Sequence, residues 1–156
     1  MWRQLWIAIA VFVADQLTKY AAADYLAQRE EVHFTSFFSF RLVHNSGAAF
    51  GFLSSASGWQ NILFIVIALL ACLVILWLIW RMEMKNMLLG IGLMLILGGA
   101  AGNLVDRLVH GYVIDFIDFY YRAWHWPAFN VADSAITVGA AILIWDALGL
   151  PQKRKP

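Results

Sequence analysis

Charged side chains are scarce in this sequence. Asp, Glu, Lys and Arg together make up 13% of the 156 residues, whereas hydrophobic types make up 62%. So few charged side chains cannot cover the surface of a soluble globule. The composition therefore excludes a soluble domain and predicts a membrane protein.

Cysteine and basic charge are also in short supply. The one cysteine, Cys72, lies in the middle of an apolar run, where it forms no intramolecular disulfide and is expected to pack as a small hydrophobic side chain. The formal net charge is +1, and no long basic run occurs before the last few residues. This charge pattern does not resemble a nucleic-acid-binding surface, so we expect no nucleic-acid partner.

Long apolar stretches are what the sequence has instead. Because a bilayer core of about 30 Å needs about 20 helical residues, each stretch of that length predicts one membrane-spanning helix. The run from 59 to 80 contains no charged residue and gives the clearest prediction. We predict an α-helical polytopic membrane protein, a single domain over 1–156, with four transmembrane helices at about 4–23, 59–80, 86–107 and 129–150.

The first of these stretches has a second interpretation. Arg3, the apolar run 5–14 and the small residues at 21–23 are also typical of a cleavable signal peptide. Against cleavage, the polar stretch before the possible cut site is long and contains Asp15. Both interpretations stay open from the sequence, and an intact mass of the purified protein distinguishes them.

Basic residues and tryptophans predict the orientation of the spans. Lys and Arg crowd the short segments on one side of the predicted bundle, which places that side and both termini in the cytoplasm. These residues are Arg3, Arg81, Lys85, Lys153, Arg154 and Lys155. The tryptophans all fall at predicted span ends, as an aromatic belt requires. They are Trp2, Trp6, Trp59, Trp77, Trp80, Trp124, Trp126 and Trp145.

Two longer segments, about 24–58 and 108–128, are predicted to be extracytoplasmic and structured. Residues 31–53 are aromatic and β-branched at first and then rich in Gly and Ser. This pattern predicts short strands, in a small sheet that lies on the membrane surface. The segment 108–128 is equally aromatic. We expect both segments to rest on lipid or to cover a site.

Two acidic residues border the predicted spans. Asp115 lies in the segment that leaves the third span, and Asp133 in the segment that enters the fourth. A charge at membrane depth costs roughly 2.5 to 3.5 kcal/mol, so an acid there is a functional candidate. If the two meet, they can share one proton near neutral pH, as in an aspartic protease. One then takes a proton from water while the other polarises an amide carbonyl.

Polar residues near the two acids are candidate supports. On a helix, Asn103, Asp106 and Arg107 share one face, and Asn130 shares another with Asp133. A small-residue step from Gly98 to Gly102 lets another helix approach the third span closely, which would bring the outer ends of the third and fourth spans together. The residues that we expect to hold the acids and a peptide in position are Asn45, Asn103, Arg107 and Asn130.

Purely structural roles compete with these interpretations. Asp106 and Arg107 could cap and pair at a helix end. Asp15 and Lys19, four residues apart, could form an intrahelical ion pair that reaches to the membrane interface. Asp118 is expected to be a solvated surface charge. The four histidines are scattered without ligand spacing, so we expect no metal site from them. They are His33, His44, His110 and His125.

Four motifs in this chain resemble those of the bacterial lipoprotein signal peptidases, the signal peptidase II family. They are DQLTK (15–19), HNSGAAFGFL (44–53), GNLVDRLVHGYVIDF (102–116) and FNVADSAI (129–136), in the family's order and membrane placement. The resemblance implies an aspartyl endopeptidase of the bacterial inner membrane with its active site at the periplasmic face. It also implies cleavage of a prolipoprotein signal peptide just before a cysteine that carries a thioether-linked diacylglyceryl group.

The resemblance further implies roles for individual residues. Asp115 and Asp133 match the catalytic pair of the family. The polar residues around that pair would be Asp15, Asn45, Asn103, Arg107 and Asn130, to which we add Asp106. The implied partners are the lipidated prolipoprotein and membrane lipids. The chemistry needs no metal or organic cofactor, and nothing demands more than a monomer.

Two other function classes are compatible with a small membrane protein. A four-span proton-coupled transporter would use intramembrane aspartates to load and release protons. Against it, the acids here cluster at one face of the membrane, and two structured outer segments would be superfluous. A non-enzymatic membrane chaperone is the third class, and it leaves the paired motifs without an explanation.

Overall fold

The computed structural model describes residues 2–29, 31–47, 59–81 and 86–148. In chain order the elements are α1 (Leu5–Leu26), β1 (Val32–His33), β2 (Phe38–Asn45), α2 (Trp59–Arg81), α3 (Met87–Val109), β3 (Val113–Tyr121), β4 (Trp124–His125) and α4 (Val131–Ala147). Several predicted features lie outside the described residues. They are the motif from 48 to 53, Lys85, the end of the fourth predicted span and the basic tail.

The described chain is mostly helical, and three of its helices have membrane-spanning character. By length and composition, α1, α2 and α3 are long and apolar enough to cross a membrane. Helix α4 extends over 17 residues, as far as Ala147. Its described length does not by itself establish the fourth transmembrane helix that the sequence predicts.

Glycines let α3 approach its neighbours on two sides. Gly98 lies against the backbone carbonyl of Ala8 on α1, and Gly99 lies against that of Ala132 on α4. A Cβ atom at either position would collide with the carbonyl oxygen, so only glycine permits these distances. The structure thus contains the close helix approach that the Gly- and Ala-rich stretch predicts, and it places α3 between α1 and α4.

Apolar side chains fill the interior of the bundle and also cover much of its outside. Met94 on α3 is fully buried and packs in one cluster with Leu97 and with Cys72 of α2. Cys72 therefore packs as the sequence predicted. The outward face of α2 leaves large apolar side chains exposed, among them Ile62, Val66, Leu70, Leu73 and Trp77. An exposed apolar face of this kind suits the hydrocarbon of a bilayer.

Both predicted outer segments contribute to one small sheet. It has four antiparallel strands in the order β1-β2-β3-β4. Strands β2 and β3 pair with Val43 opposite Asp115 and Asn45 opposite Val113, after a register irregularity between Phe40 and Val43. The strands expected within 31–53 are therefore present, and the sheet joins them to the segment 108–128.

The longest strand lies in a segment to which the sequence analysis assigned no strand. Strand β3 has nine residues, and its first four, from Val113 to Phe116, are all buried. A strand buried on both faces lacks the alternation of polar and apolar residues that marks a half-exposed strand. Its strand character was therefore hidden in what looked only like an aromatic segment.

Candidate active site

The two candidate acids lie where the sheet meets the ends of two helices. Asp115 is the third residue of β3, and Asp133 lies in the first turn of α4. Helix α3 passes beside both and contributes Asn103. Residues that are far apart in sequence are thus collected at one end of the bundle by α3, α4 and the sheet.

Asp115 is enclosed by neutral hydrogen-bond donors. Its side chain is 1% exposed. Asn45 Nδ2 donates to its Oδ2 over 2.8 Å, and Asn130 Nδ2 donates to its Oδ1 over 2.7 Å. Burial, followed by the charge of Asp133, raises the pKa of Asp115 to about 7, against the opposing effect of the two amide bonds and of Lys19. Asp115 can therefore bind and release a proton near neutral pH.

Asp133 is held by the same set of amides. Its Oδ1 accepts a hydrogen bond of 2.8 Å from Asn103 Nδ2, and its backbone N–H donates to Asn130 Oδ1 over 2.8 Å. Asn130 is the N-cap of α4, so it does not share a helical face with Asp133 as the sequence analysis assumed. The cap bond fixes the first turn of the helix, and the other end of the same amide contacts Asp115. Asn130 thus links the two acids directly.

A buried lysine stands behind the pair. Lys19 Nζ lies 2.8 Å from Asp15 Oδ2 and 2.8 Å from Asp106 Oδ2, with the lysine 2% exposed. Its third hydrogen bond, of 2.9 Å, goes to Asn103 Oδ1. The ion pair considered between Asp15 and Lys19 is therefore present, and it is buried, because Asp106 closes over the ammonium group from α3.

Asp15 also contacts the start of α4. Its Oδ1 accepts a hydrogen bond of 2.9 Å from the backbone N–H of Ala132. A carboxylate at a helix N-terminus satisfies an otherwise unpaired N–H and interacts favourably with the helix dipole. Asp15 thus helps to position the helix turn that carries Asp133. The sequence analysis did not count Lys19 among the supports, although its place four residues after Asp15 was visible.

Asp106 and Arg107 do not form the pair that the structural interpretation expected. Asp106 pairs with Lys19, and its Oδ2 accepts a hydrogen bond of 3.2 Å from the backbone N–H of Ile114 at the start of β3. Arg107 instead donates to the backbone carbonyl of Asn103 over 3.3 Å and lies over the ring of Phe64, 5.0 Å from its centroid. The buried Nε of Arg107 has no partner among the described residues. Asp106 therefore ties α3 to the strand that carries Asp115.

Asp118 contradicts the expectation of a solvated charge. It is fully buried. His125 Nδ1 lies 2.7 Å from its Oδ2, Arg41 Nη2 lies 3.3 Å from its Oδ1, and Ser39 Oγ donates to Oδ2 over 3.2 Å. Strand pairing places Asp118 directly opposite Ser39, inside the sheet. The prediction was wrong because the partners of Asp118 come from other strands and only tertiary pairing reveals them.

The residues that the structure describes contain no cluster of three or more His, Cys, Asp or Glu suited to holding a metal ion. Of the scattered histidines, His125 contacts Asp118 and His33 Nδ1 lies 2.9 Å from the hydroxyl of Tyr120. The chemistry that the site offers is therefore that of two neighbouring carboxyl groups. Such a pair can hold one proton and supply a general base together with a general acid.

Comparison with known proteins gives a consistent result. The family model described as signal peptidase (SPase) II matches residues 7–149. The lipoprotein signal peptidase of Burkholderia cenocepacia is 54% identical over 144 residues, which cover 92% of this chain and 86% of that protein. That of Alteromonas mediterranea is 50% identical over 144 residues, which cover 92% of this chain and 79% of that protein.

Solved structures agree with the fold. A bacterial membrane enzyme determined by the in meso method at 2.3 Å resolution superposes with a TM-score of 0.84 at 28% identity, covering 100% of this chain and 94% of the other. A second bacterial membrane enzyme, determined by the same method at 1.9 Å resolution, gives a TM-score of 0.77 at 28% identity, with 97% and 96% covered. Sequence and structure thus point to the same group of enzymes.

Proposed function

This chain belongs to the signal peptidase II family of membrane aspartyl peptidases, and we propose that Asp115 and Asp133 are its catalytic pair. The proposed reaction removes the signal peptide from a diacylglyceryl-modified prolipoprotein just before the lipidated cysteine. The observation that carries the proposal is the contact of both acids with one side chain, since Asn130 donates to Asp115 and accepts from the backbone of Asp133.

Hydrolysis by such a pair needs one proton shared between the carboxyl groups. One acid takes a proton from water as the water oxygen attacks the scissile carbonyl carbon, and the other donates to the carbonyl oxygen. Asp115 has a pKa raised to about 7, which suits proton exchange at neutral pH. Asn45, Asn103 and Asn130 hold the carboxyl groups in place.

The remaining polar residues act through this pair. Asp15, Lys19 and Asp106 form a buried charged group that orients Asn103 and the ends of α4 and β3. Arg107 keeps a buried Nε that has no described partner beside the site. We assign to it the binding of a substrate carbonyl oxygen.

Membrane placement follows from the same proposal. We propose that α4 is a fourth transmembrane helix and that the enzyme acts as a monomer in the bacterial inner membrane. In the proposed orientation both termini lie in the cytoplasm and the acids lie at the periplasmic face. The excess of basic residues expected on the cytoplasmic side supports it, since Arg3 and Arg81 lie at the end of the bundle opposite the acids. A lipidated cysteine holds its acyl chains in the bilayer, so its scissile bond also lies at the outer interface.

Substitution of each acid tests the assignment. Asp115→Asn and Asp133→Asn are expected to abolish cleavage of a purified diacylated precursor, with products compared by mass, while the variants stay folded in detergent. Asp146→Asn is the matched control, because Asp146 lies on α4 at the opposite end and contacts Asn86. Normal turnover by either dyad variant would remove that residue from the catalytic pair.

A non-acylated precursor tests the substrate class in the same assay. We expect the diacylated precursor to be cleaved and the non-acylated one to remain intact. Equal cleavage of both would contradict the lipid requirement. The transporter interpretation has no support from the family and its relatives.

A further inference from the structure

Two asparagine amides face Asp115 in orientations that backbone N–H groups fix. The Gly47 N–H donates to Asn45 Oδ1, and the Asp133 N–H donates to Asn130 Oδ1, each over 2.8 Å. Because a backbone N–H cannot accept a hydrogen bond, each amide must turn its NH₂ group towards Asp115. The resulting bonds are 2.8 Å to Oδ2 and 2.7 Å to Oδ1. Both oxygens of Asp115 are therefore hydrogen-bond acceptors.

A lysine fixes the amide that faces Asp133. Lys19 Nζ donates to Asn103 Oδ1 over 2.9 Å. An ammonium group has no acceptor, so Asn103 must present its Nδ2 to Asp133 Oδ1, 2.8 Å away. The second oxygen of Asp133, Oδ2, receives no hydrogen bond from the described protein groups. Asp133 thus has one oxygen committed as an acceptor and one available to carry a proton.

We propose that Asp133 holds the shared proton on Oδ2 before cleavage and that Asp115 is the ionised base. This inference rests on the proposed function and adds the separate role of each acid. A proton on either oxygen of Asp115 would weaken an existing amide bond and would need an acceptor of its own. A proton on Asp133 Oδ2 displaces no described bond.

Burial opposes this assignment, because Asp115 is almost fully enclosed and Asp133 is half-buried. Desolvation is the largest effect at both acids, so the difference between them depends on the N–H donors that each carboxylate accepts. Most of the surrounding charges act on both acids, but the carboxylate of Asp15 on α1 repels Asp133, which favours the proton there. Lys19 on α1 attracts both carboxylates, as does Arg107 on α3.

The remaining neighbours of the pair do not reverse the effect of the hydrogen-bond donors at Asp115 and Asp133. Asp15 on α1 and Asp106 on α3 share the one positive charge of Lys19. Strand β2 presents the neutral side chains of Val43 and Asn45. Two amide donors at Asp115 against one at Asp133 therefore decide which acid carries the charge.

The assignment gives a balanced reaction. Water loses one proton to Asp115 as its oxygen bonds to the carbonyl carbon, and Asp133 transfers its proton to the carbonyl oxygen. When the C–N bond breaks, Asp115 passes its proton to the leaving nitrogen. One hydroxyl proton of the tetrahedral intermediate returns to Asp133 as the carbonyl re-forms. The pair ends in the protonation state in which it began.

Asn45→Ala tests the assignment through the pH profile of kcat/KM for the diacylated precursor. If Asp115 is ionised in the singly protonated pair, the Asn45 bond stabilises that form relative to the doubly protonated pair. We then expect the acid limb to move up by about one pH unit and the alkaline limb to stay. If Asp115 held the proton, the alkaline limb would move instead. That result, or two unmoved limbs, overturns the proposal.

A second readout does not depend on activity. The carbonyl stretch of protonated carboxyl groups, followed by infrared difference spectroscopy across pH, reports the two deprotonation steps of the pair. In Asn45→Ala the lower step is expected to move up and the upper step to stay. Asp115→Asn and Asp133→Asn identify which bands belong to the pair, so even an inactive Asn45 variant gives a decisive result.

Two further variants complete the experiment. Asn103→Ala removes the donor to Asp133 and is expected to move the upper step and the alkaline limb. Asn86→Ala is the matched control, because it also removes a bond from an amide to a carboxylate, that of Asp146, far from the pair. Both steps should be unchanged in it, and a shift there would show that the readout lacks specificity and would overturn the inference drawn from Asn45.

Failure of this inference differs from failure of the proposed function. If Asp115→Asn and Asp133→Asn still cleave the precursor, the proposed catalytic pair is wrong. If both variants are inactive and Asn45→Ala moves the alkaline limb, the pair stands and only the roles of its two members are exchanged.

Discussion

Asp115 and Asp118 lie three residues apart on the same strand, and both are buried. Their neighbours differ in charge. Asp115 is bonded by two neutral amides and faces a second carboxyl group, that of Asp133. Asp118 instead contacts the guanidinium of Arg41 and the ring of His125.

The difference shows that burial alone does not make an acid catalytic. Neutral donors hold Asp115 in place without supplying a positive charge, so burial and the charge of Asp133 raise its pKa to about 7 and leave it able to exchange a proton. Asp118 instead contacts the guanidinium of Arg41 through one oxygen and the ring of His125 through the other, and both contacts come from other strands. The first arrangement suits the proton transfer that we propose, and the contacts of the second hold strands together.

The largest expected effect is a difference in activity between the two aspartates. Asp115→Asn is expected to lower kcat/KM for the diacylated precursor by about 10²- to 10⁴-fold, the range of a general acid or base. Asp118→Asn keeps a hydrogen-bonding side chain far from the reacting atoms and is expected to lower it by less than about tenfold. Equal losses in two folded variants would show that the sheet region takes part in catalysis.

The cations of the two regions should differ in their contribution to stability. Lys19→Met leaves Asp15 and Asp106 buried without a counter-charge and is expected to destabilise the fold by about 3–5 kcal/mol. The side chain of Arg41 is 39% exposed. Arg41→Met is therefore expected to cost less than about 1 kcal/mol. Thermal unfolding in detergent measures both, and a larger loss for Arg41→Met would contradict the contrast.

The raised pKa of Asp115 should make the free energy of unfolding depend on pH. The folded-state pKa of Asp115 is about 7, above its ordinary value of 3.8. Between these values the unfolded chain has released the protons of both acids, whereas the folded pair of Asp115 and Asp133 still holds one, which we assign to Asp133, so stability falls as pH rises from about 4 to about 7. The loss is roughly 2 to 4 kcal/mol and is constant above that range.

Comparison of unfolding curves isolates this contribution. Asp115→Asn has no carboxyl group to titrate, so the difference in stability between it and the parent should grow in its favour as pH rises from about 4 to about 7. A constant difference for Asp115→Asn across the range would contradict the raised pKa.

The sequence predicts the meeting of Asp115 and Asp133 better than it predicts the contacts of Asp118. Asp115 and Asp133 stand out because acids beside long apolar runs are expensive to place there, and that cost is visible without a structure. Asn103 and Arg107 follow from helical spacing. Asp118 and Lys19 were misjudged because their burial depends on residues of other elements, Arg41 and His125 in one case and Asp106 in the other.

Strand β3 shows the same limit for the fold. The long apolar helices were predicted with little error, since their length and lack of charge are properties of a continuous segment. Strand β3 was missed because burial of Val113 to Phe116 on both faces removes the alternating pattern. Its register against β2, which brings Asn45 to Asp115, arises only from tertiary pairing.

The smallest expected effect comes from His125. His125→Gln keeps a polar side chain that can reach Asp118, whose other contacts with Arg41 and Ser39 remain. We therefore expect a destabilisation below about 1 kcal/mol and an unchanged kcat/KM. His125→Ala, which also removes the stacking on Tyr120 at 5.4 Å, should cost more in thermal unfolding. A strong loss of activity in a stable His125→Gln would mean that the contact between His125 and Asp118 affects Asp115 and Asp133 through the sheet. Otherwise loss of one partner of Asp118 leaves activity unchanged, whereas loss of the Asn45 donor to Asp115 is expected to shift the pH profile.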